Sequence, residues 1–425
     1  VSKTVNWVRP AVWDGTAASL AEHVEAIGAM TAGDTRLWLG PFDPPATLPA
    51  GYEDTALVVP TSGSTGRAKA VAHGLDSLLA SDDATAALFA SDGTAAATAG
   101  HGFWLPLLPP THIAGIQVIA RAHRAAQVLG LDRVPLPQQM PDLSSHFDAA
   151  SFAQVAARAL SEADDAGLPA FTSLVPTQLT RILADPSADG VRARGLLARF
   201  VAVLVGGAAT PPDLLARTRA ARIAARTTYG SSETAGGCVY DGLPLPGVRL
   251  SVDGPDDDEG RLRIVSPTLA HGYLLPDGTA DQDAFTDAGT RTFTTSDLAH
   301  LAPDGHLRVI GRADDVIVTG GLKVVPQDVE RAIDHSLMLR DVVADAVVVG
   351  VPDAEWGSRV EALVVPRPGA DPHELPALVR AALRTTGVSA HRIPRQVHVV
   401  DELPTLGIGK VDRATARRIA QARCR

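Results

Sequence analysis

TSGSTGRAK, residues 61–69, sets hydroxyl side chains and two glycines in a row and closes them with a lysine. The apolar run Ala56–Val59 just before it predicts a buried strand. Glycine lets the backbone approach a ligand and turn its N–H groups toward an anion. Hydroxyls add donors, and Lys69 adds a positive charge, so the combination is phosphate-binding chemistry. The glycine and lysine spacing of a Walker A loop is absent. A flexible Ser/Gly linker is the competing reading, but a linker does not ordinarily follow a buried strand and end on a lysine. Lysine is also scarce here: among 38 basic residues it occurs only at Lys3, Lys69, Lys323 and Lys410. Arginine is a planar fork and lysine a compact point charge, so the surviving lysines single out positions to examine.

Outward from this loop, short apolar runs alternate with helical patterns, which predicts a layered α/β fold. Phe200–Val205 reads as a second buried strand ending at Gly206-Gly207. Helices are expected from Ser151 (with Gln154 three residues on), from Pro176, and from the Thr210-Pro211-Pro212-Asp213 start. The acidic stretch 253–260 lacks the ligand spacing of a calcium loop and reads as a solvated turn. From about residue 285 the pattern changes to short strands rich in Thr, Val and Ile. A helix from Pro326, strands at Ala346–Val351 and Val360–Val365, a helix over Pro372–Arg384 and a last helix after Asp412 follow. This is the outline of a small α+β domain. With the joint near 311–315, the expected organisation is a large α/β domain over 1–312 and a C-terminal domain over 313–425.

The composition narrows the class. A chain of 425 residues, 45% hydrophobic and 20% charged, is globular and of two to three domains. A net charge of −10 without a basic cluster argues against nucleic acid as a partner. Two cysteines, Cys238 and Cys424, build neither a disulfide framework nor a cysteine-rich zinc site, and the expected compartment is the reducing cytoplasm. No apolar run approaches the length of a membrane span, and the N-terminus has no apolar core of a leader peptide. The sequence leaves a homodimer open.

Four further segments carry reactive side chains. YGSSE at 229–233 offers an aromatic face for a purine, a tight turn at Gly230, two hydroxyls and the Glu233 carboxylate. Asp297 lies in TTSDL, Arg312 in GRADD, and Lys410 in the glycine-flexed LPTLGIGKVDR. Each is ordinary alone. In this order they resemble the adenylate-forming superfamily of acyl-CoA synthetases, adenylation domains and luciferases. EGRLRIVSPTLAHGY at 259–273 and GRADDVIVTGGLKVVPQDVE at 311–330 belong to the same resemblance, which spans about residues 55 to 415. Ser232 stands where the family has threonine, Ser296 where it has glycine and Ala68 where it has proline. The phosphate loop also comes far earlier than in most relatives, which implies a reduced N-terminal subdomain.

The resemblance implies roles. Thr61, Ser62, Gly63, Ser64, Thr65, Gly66 and Lys69 would hold the β- and γ-phosphates of ATP. Tyr229 would pack on adenine, with Gly206, Gly207 and Ala208 lining that pocket. Ser232 would meet the α-phosphate and Glu233 would bind Mg2+. Asp297 would accept from the ribose hydroxyls, with Arg312 in support, and Lys410 would bridge the acid's carboxylate and the α-phosphate. Asp314 occupies the hinge position, and Gly320-Gly321 the pantetheine path of CoA; a charged loop residue is the other reading of Asp314. His112 matches the acyl-pocket position and is otherwise a structural histidine. Ser173, Thr177 and Gln178 would bind a polar tail of the acid or simply start a helix. Within the superfamily, SLVPTQL at 173–179, LVGGAATPP at 204–212 and YGSSETAGGCVYDGLPLPGV at 229–248 most resemble the o-succinylbenzoate–CoA ligases of menaquinone biosynthesis in their short actinobacterial form. The implied reaction makes an acyl-adenylate and pyrophosphate, then acyl-CoA and AMP. A ligase for another aryl or fatty acid, an enzyme that loads a carrier protein, and a noncatalytic nucleotide-binding protein are the alternatives.

Overall fold

Thr55–Pro60 is a strand buried over nearly its whole length, as expected of an apolar run covered on both faces. It lies between the parallel strand Arg36–Trp38 and the antiparallel strand Ala70–Gly74, which itself pairs with Gly272–Leu274. These belong to a six-stranded sheet completed by Trp7–Val8 and Ala280–Asp281. The computed structural model describes residues 6–61, 69–256, 259–287, 289–406 and 410–423.

The chain divides into two compact units, Val1–Leu250 with Arg263–Thr294, and Ser251–Leu262 with Thr295–Arg425. The first unit holds a second six-stranded sheet. Phe103–Leu105, Ala170–Leu174, Ala202–Val205 and Ala225–Ser231 run parallel, and Gly236–Tyr240 turns back antiparallel. Parallel neighbours need long crossovers, supplied here by helices that include Ile113–Leu129, Ala149–Asp165, Pro176–Ala184 and Pro212–Ala220. Helix Ala149–Asp165 shows why these helices pack. Phe152, Ala153, Ala156, Ala159, Leu160 and Ala163 recur at helical spacing and are all buried. The helix begins two residues before the expected Ser151. Asp148 is the cap, accepting from the Ser151 N–H at 2.8 Å, while Ser151 Oγ accepts from the Asp148 N–H.

In the second unit, strands Ile317–Thr319, Leu322–Val324, Val343–Asp353, Gly357–Pro366 and Gln396–Val399 form one sheet. Helices Pro326–Asp334 and Leu375–Thr385 cover it through Val329, Ile333, Val379 and Leu383. The latter helix starts three residues after the expected Pro372. Helix Arg413–Arg423 buries Ala416 and Ala420 against Val347, Val349 and Leu363. Compactness does not divide the chain at 312/313. Residues 297–301 pair with 307–312, and Arg331 donates to the Val309 carbonyl at 3.2 Å. In this structure the ladder packs in one compact unit with the C-terminal core.

Phe171 centres the packing of the parallel sheet. Its ring is fully buried and stacks on Phe89 and on Trp104, each 5.0 Å away between centroids. Replacing it with alanine removes both stacks at once. Phe171→Ala should destabilise the first unit by about 3–5 kcal/mol, measured as a shift in the urea unfolding midpoint. A change under about 1 kcal/mol would show that the sheet does not depend on this cluster.

Candidate active site

The loop at 61–69 is a connection between antiparallel neighbours. Pro60 pairs with Ala70, and Thr61 Oγ1 approaches the Lys69 carbonyl at 3.5 Å, so the two ends of the loop meet. Ser62, Gly63, Ser64, Thr65 and Gly66 lie outside the described residues. Lys69 does not extend into solvent. Its Nζ sits 3.6 Å from the centroid of the Tyr273 ring, in a cation–π contact. The Tyr273 hydroxyl in turn donates to Glu233 Oε1 at 2.8 Å. Tyr273 thus stands between the lysine that closes the phosphate loop and the carboxylate expected to bind metal.

Glu233 lies in the short turn Ser232–Thr234 that follows strand Ala225–Ser231. The turn is pinned through its backbone. Ser232 O faces His73 Nε2 at 2.6 Å, and Glu233 O accepts the Ala270 N–H at 3.0 Å. Ala235 is left-handed (φ 51°), a strained conformation for a residue with a Cβ. Its carbonyl accepts from Ser81 Oγ at 3.0 Å and from Gln117 Nε2 at 2.8 Å. Tyr229 is half-buried on the strand leading into the turn. Gly230 is required by close approach: a Cβ there would sit 2.0 Å from the Gly236 carbonyl oxygen. Gly206, Gly207 and Ala208 follow strand Ala202–Val205, with Gly207 and Ala208 exposed.

The acid-side residues separate into different settings. His112 caps the start of helix Ile113–Leu129 with extended backbone, and burial lowers its pKa, which favours the neutral ring. Ser173 is buried on strand Ala170–Leu174, and Thr177 is exposed. Gln178 uses both ends of its amide within the protein: Oε1 accepts from the Val175 N–H at the helix start, at 3.0 Å, and Nε2 donates to the distant Leu107 carbonyl at 3.3 Å. Of its two sequence readings, the geometry favours the helix-start role.

The second unit holds the remaining positions. Asp297 and Arg312 are direct partners across an antiparallel pair. Arg312 Nη2 lies 3.4 Å from the carboxylate of Asp314, an exposed pair of little energetic weight. Gly320 and Gly321 both have positive φ, and a Cβ at Gly320 would press on the Trp356 ring. The backbone of Lys410 pairs with Leu406 in a hairpin of Thr405–Leu406 with Lys410–Val411. Behind it, Arg413 donates to both oxygens of Glu330 at 2.8 Å and fixes the start of the last helix.

His73, Tyr273, Ser81 and Gln117 are contacts that the sequence reading missed. Tyr273 closed a quoted motif without a role. His73 carried a usable signal, since a histidine in the apolar strand AVAHG must find partners for both ring nitrogens.

Comparison with known proteins agrees with this arrangement. The family model for AMP-binding enzymes matches residues 9–274, and that for their C-terminal domain matches 332–410. A probable 2-succinylbenzoate–CoA ligase of Mycobacterium tuberculosis is 40% identical over 377 residues, covering 87% of this chain and 85% of the relative. A feruloyl-CoA synthase of Amycolatopsis is 30% identical, covering 93% and 77%. ATP-bound MatB from Rhodopseudomonas palustris superposes with a TM-score of 0.69 at 26% identity, over 89% of this chain and 71% of that one. The o-succinylbenzoate CoA synthetase of Bacillus subtilis, in complex with its acyl-adenylate intermediate, has a TM-score of 0.64 over 93% and 80%, and at 20% identity shares the fold. The chain belongs to the AMP-binding enzyme family, and it is an AMP-forming acid–thiol ligase.

The Lys69–Tyr273–Glu233 chain gives a direct test. Tyr273→Phe keeps the ring under Lys69 but removes the hydrogen bond to Glu233. Acid-dependent ATP–pyrophosphate exchange should fall about tenfold in kcat, because one hydrogen bond to a charged group is lost. The melting temperature should change little. Wild-type exchange would remove Tyr273 from the site.

Proposed function

We propose that this enzyme activates o-succinylbenzoate with ATP and transfers the acyl group to CoA. The observation that carries the chemistry is the close set formed by the end of the phosphate loop, Tyr273 and the Glu233 carboxylate. The 40% identical ligase of M. tuberculosis supports the choice of acid. In the first step a carboxylate oxygen attacks the α-phosphorus, and the bond to the bridging oxygen breaks to release pyrophosphate. In the second, the CoA thiolate attacks the acyl carbon and AMP leaves.

The first step brings two anions together. It needs aligned positive charge and oriented donors more than proton transfer. Thr61, Ser62, Gly63, Ser64, Thr65, Gly66 and Lys69 hold the β- and γ-phosphates, with Lys69 moving off the Tyr273 ring to meet them. Ser232 donates to the α-phosphate. Tyr229, Gly206, Gly207, Ala208 and Gly230 form the adenine side, and Asp297 with Arg312 holds the ribose. Glu233 suits Mg2+: a lone carboxylate beside a phosphate cradle is a donor set that this ion completes with phosphate oxygens and water. When bound, the ion would offset charge on the phosphates.

Lys410 supplies the charge between the attacking carboxylate and the α-phosphate. Keeping lysine there in an arginine-rich chain fits a gap that a planar fork would fill poorly. Between the two steps, residues 313–425 rotate about Asp314 as the mobile domain, with 1–312 as its base. That movement takes Lys410 away and brings Gly320-Gly321 to the CoA path. His112, Ser173 and Thr177 line the acid side. The enzyme acts in the cytoplasm, and a homodimer is compatible with this chemistry.

The feruloyl-CoA synthase relative favours a second reading, a ligase for another aryl acid. A pocket built to hydrogen-bond a polar tail should reject acids that lack one. Steady-state kcat/KM for acyl-CoA formation should therefore be at least about a hundredfold higher for o-succinylbenzoate than for benzoate or octanoate. Equal or better activity with ferulate would replace the proposed acid and leave the ligase chemistry in place.

A further inference from the structure

His73 is fully buried in strand Ala70–Gly74, four residues beyond Lys69. Its Nε2 stands 2.6 Å from the Ser232 carbonyl oxygen. A carbonyl only accepts, so Nε2 carries the ring proton and donates it. Nδ1 then accepts; Ser77 Oγ stands 2.8 Å from it and 3.0 Å from the Gly74 carbonyl, so its single proton is shared between these two acceptors. Burial holds the ring's pKa down to about 4, so this neutral tautomer is the form present near neutral pH. With both nitrogens engaged by the protein, the ring has no atom to offer a substrate.

The placement of this bond gives it a consequence. Three carbonyls of the Ser232–Ala235 segment are held from outside: Ser232 by His73, Glu233 by Ala270, and Ala235 by Ser81 and Gln117. Ser81 and Gln117 lie on helices, and Ala270 on the segment before strand Gly272–Leu274. His73 alone among these four lies on the strand that continues directly from the phosphate loop. The His73 bond ties that strand directly to Ser232, while its Ala72 carbonyl, accepting from the His271 N–H, ties it indirectly to Glu233 through Ala270.

We propose that His73 is a positioning residue: its hydrogen bond to Ser232 holds the Ser232–Glu233 turn in register with Lys69, so that the donors for the α- and γ-phosphates keep a fixed separation. The inference rests on the adenylation chemistry proposed above and not on the identity of the acid. Removing the bond should leave ATP binding nearly intact and misplace the α-phosphate during attack. Misplacement of this kind appears in kcat rather than KM.

The test compares His73→Leu and His73→Gln with the wild type in ATP–pyrophosphate exchange, using the best acid of the panel. Glutamine carries an amide N–H to the place of Nε2. His73→Leu should lose roughly 10- to 100-fold in kcat, with KM for ATP changed less than about threefold. His73→Gln should recover to within about fivefold of the wild type. All three should keep the same profile between about pH 6 and 8, because His73 does not titrate there. If the leucine variant does not fold, His73→Asn, whose amide is too short to reach Ser232, replaces it with the same expectation. Wild-type kcat in the leucine or asparagine variant overturns the proposal. So does equal loss in all variants in step with a fall in melting temperature, which marks a purely structural role. An inflection near pH 6–7 that vanishes on substitution also overturns it, by making His73 a proton-transfer group. A wild type without exchange for any acid, beside normal binding of a fluorescent ATP analogue, refutes the adenylation reading itself; the ratio of variant to wild type is what reports on His73.

Discussion

Hydrogen bonds to three backbone carbonyls join distant segments of this chain around one turn. The carbonyls of Ser232, Glu233 and Ala235 draw in a strand, two helices and the segment entering a further strand. The strained, left-handed Ala235 persists because its surroundings over-determine it. The turn so fixed presents Glu233 to Tyr273, and Tyr273 presents its ring to Lys69. A turn fixed in this way holds the Glu233 carboxylate in place beforehand, as electrostatic preorganisation requires.

The two sheets of the first unit serve that turn from different directions. The parallel sheet ends strand Ala225–Ser231 at the turn, and its core is set by Phe171 between two aromatic rings. The other sheet brings strands Ala70–Gly74 and Gly272–Leu274 into register, with Tyr273 opposite Val71. Lys69, His73 and Tyr273 are thereby placed by one pair of strands. In the second unit, Asp297 and Arg312 are partners across one antiparallel strand pair, and the backbone of Lys410 pairs in a hairpin just before the last helix.

Much of this was legible in the sequence because it is local. A strand followed by a Gly/Ser/Thr loop, prolines at helix starts and the order of the motifs all lie within short windows. The contacts that hold the site were not legible for the same reason. His73 and Ser232 are 159 residues apart, and Glu233 and Tyr273 are 40 apart. Spacing alone cannot say which buried groups will satisfy each other across such distances. Gln178 is a mixed case: its amide oxygen is occupied locally by the helix start and its amide nitrogen by the distant Leu107 carbonyl. Helix Ala149–Asp165 starts earlier than expected because Asp148 supplies the cap by accepting the Ser151 N–H, which makes Ser151 the third helical residue. That Thr295–Arg312 packs with the C-terminal residues was likewise not legible, because it rests on long-range pairing rather than on composition.

The central claim is that this geometry serves attack at the α-phosphate. It is tested most directly by mixing the enzyme with α-labelled ATP and o-succinylbenzoate, without CoA, and quenching within a single turnover. The account predicts pyrophosphate and an enzyme-bound labelled acyl-adenylate in equal amounts, and conversion of that adenylate to AMP and thioester when CoA is added. Formation of ADP and phosphate, or of thioester with no adenylate preceding it, would contradict it.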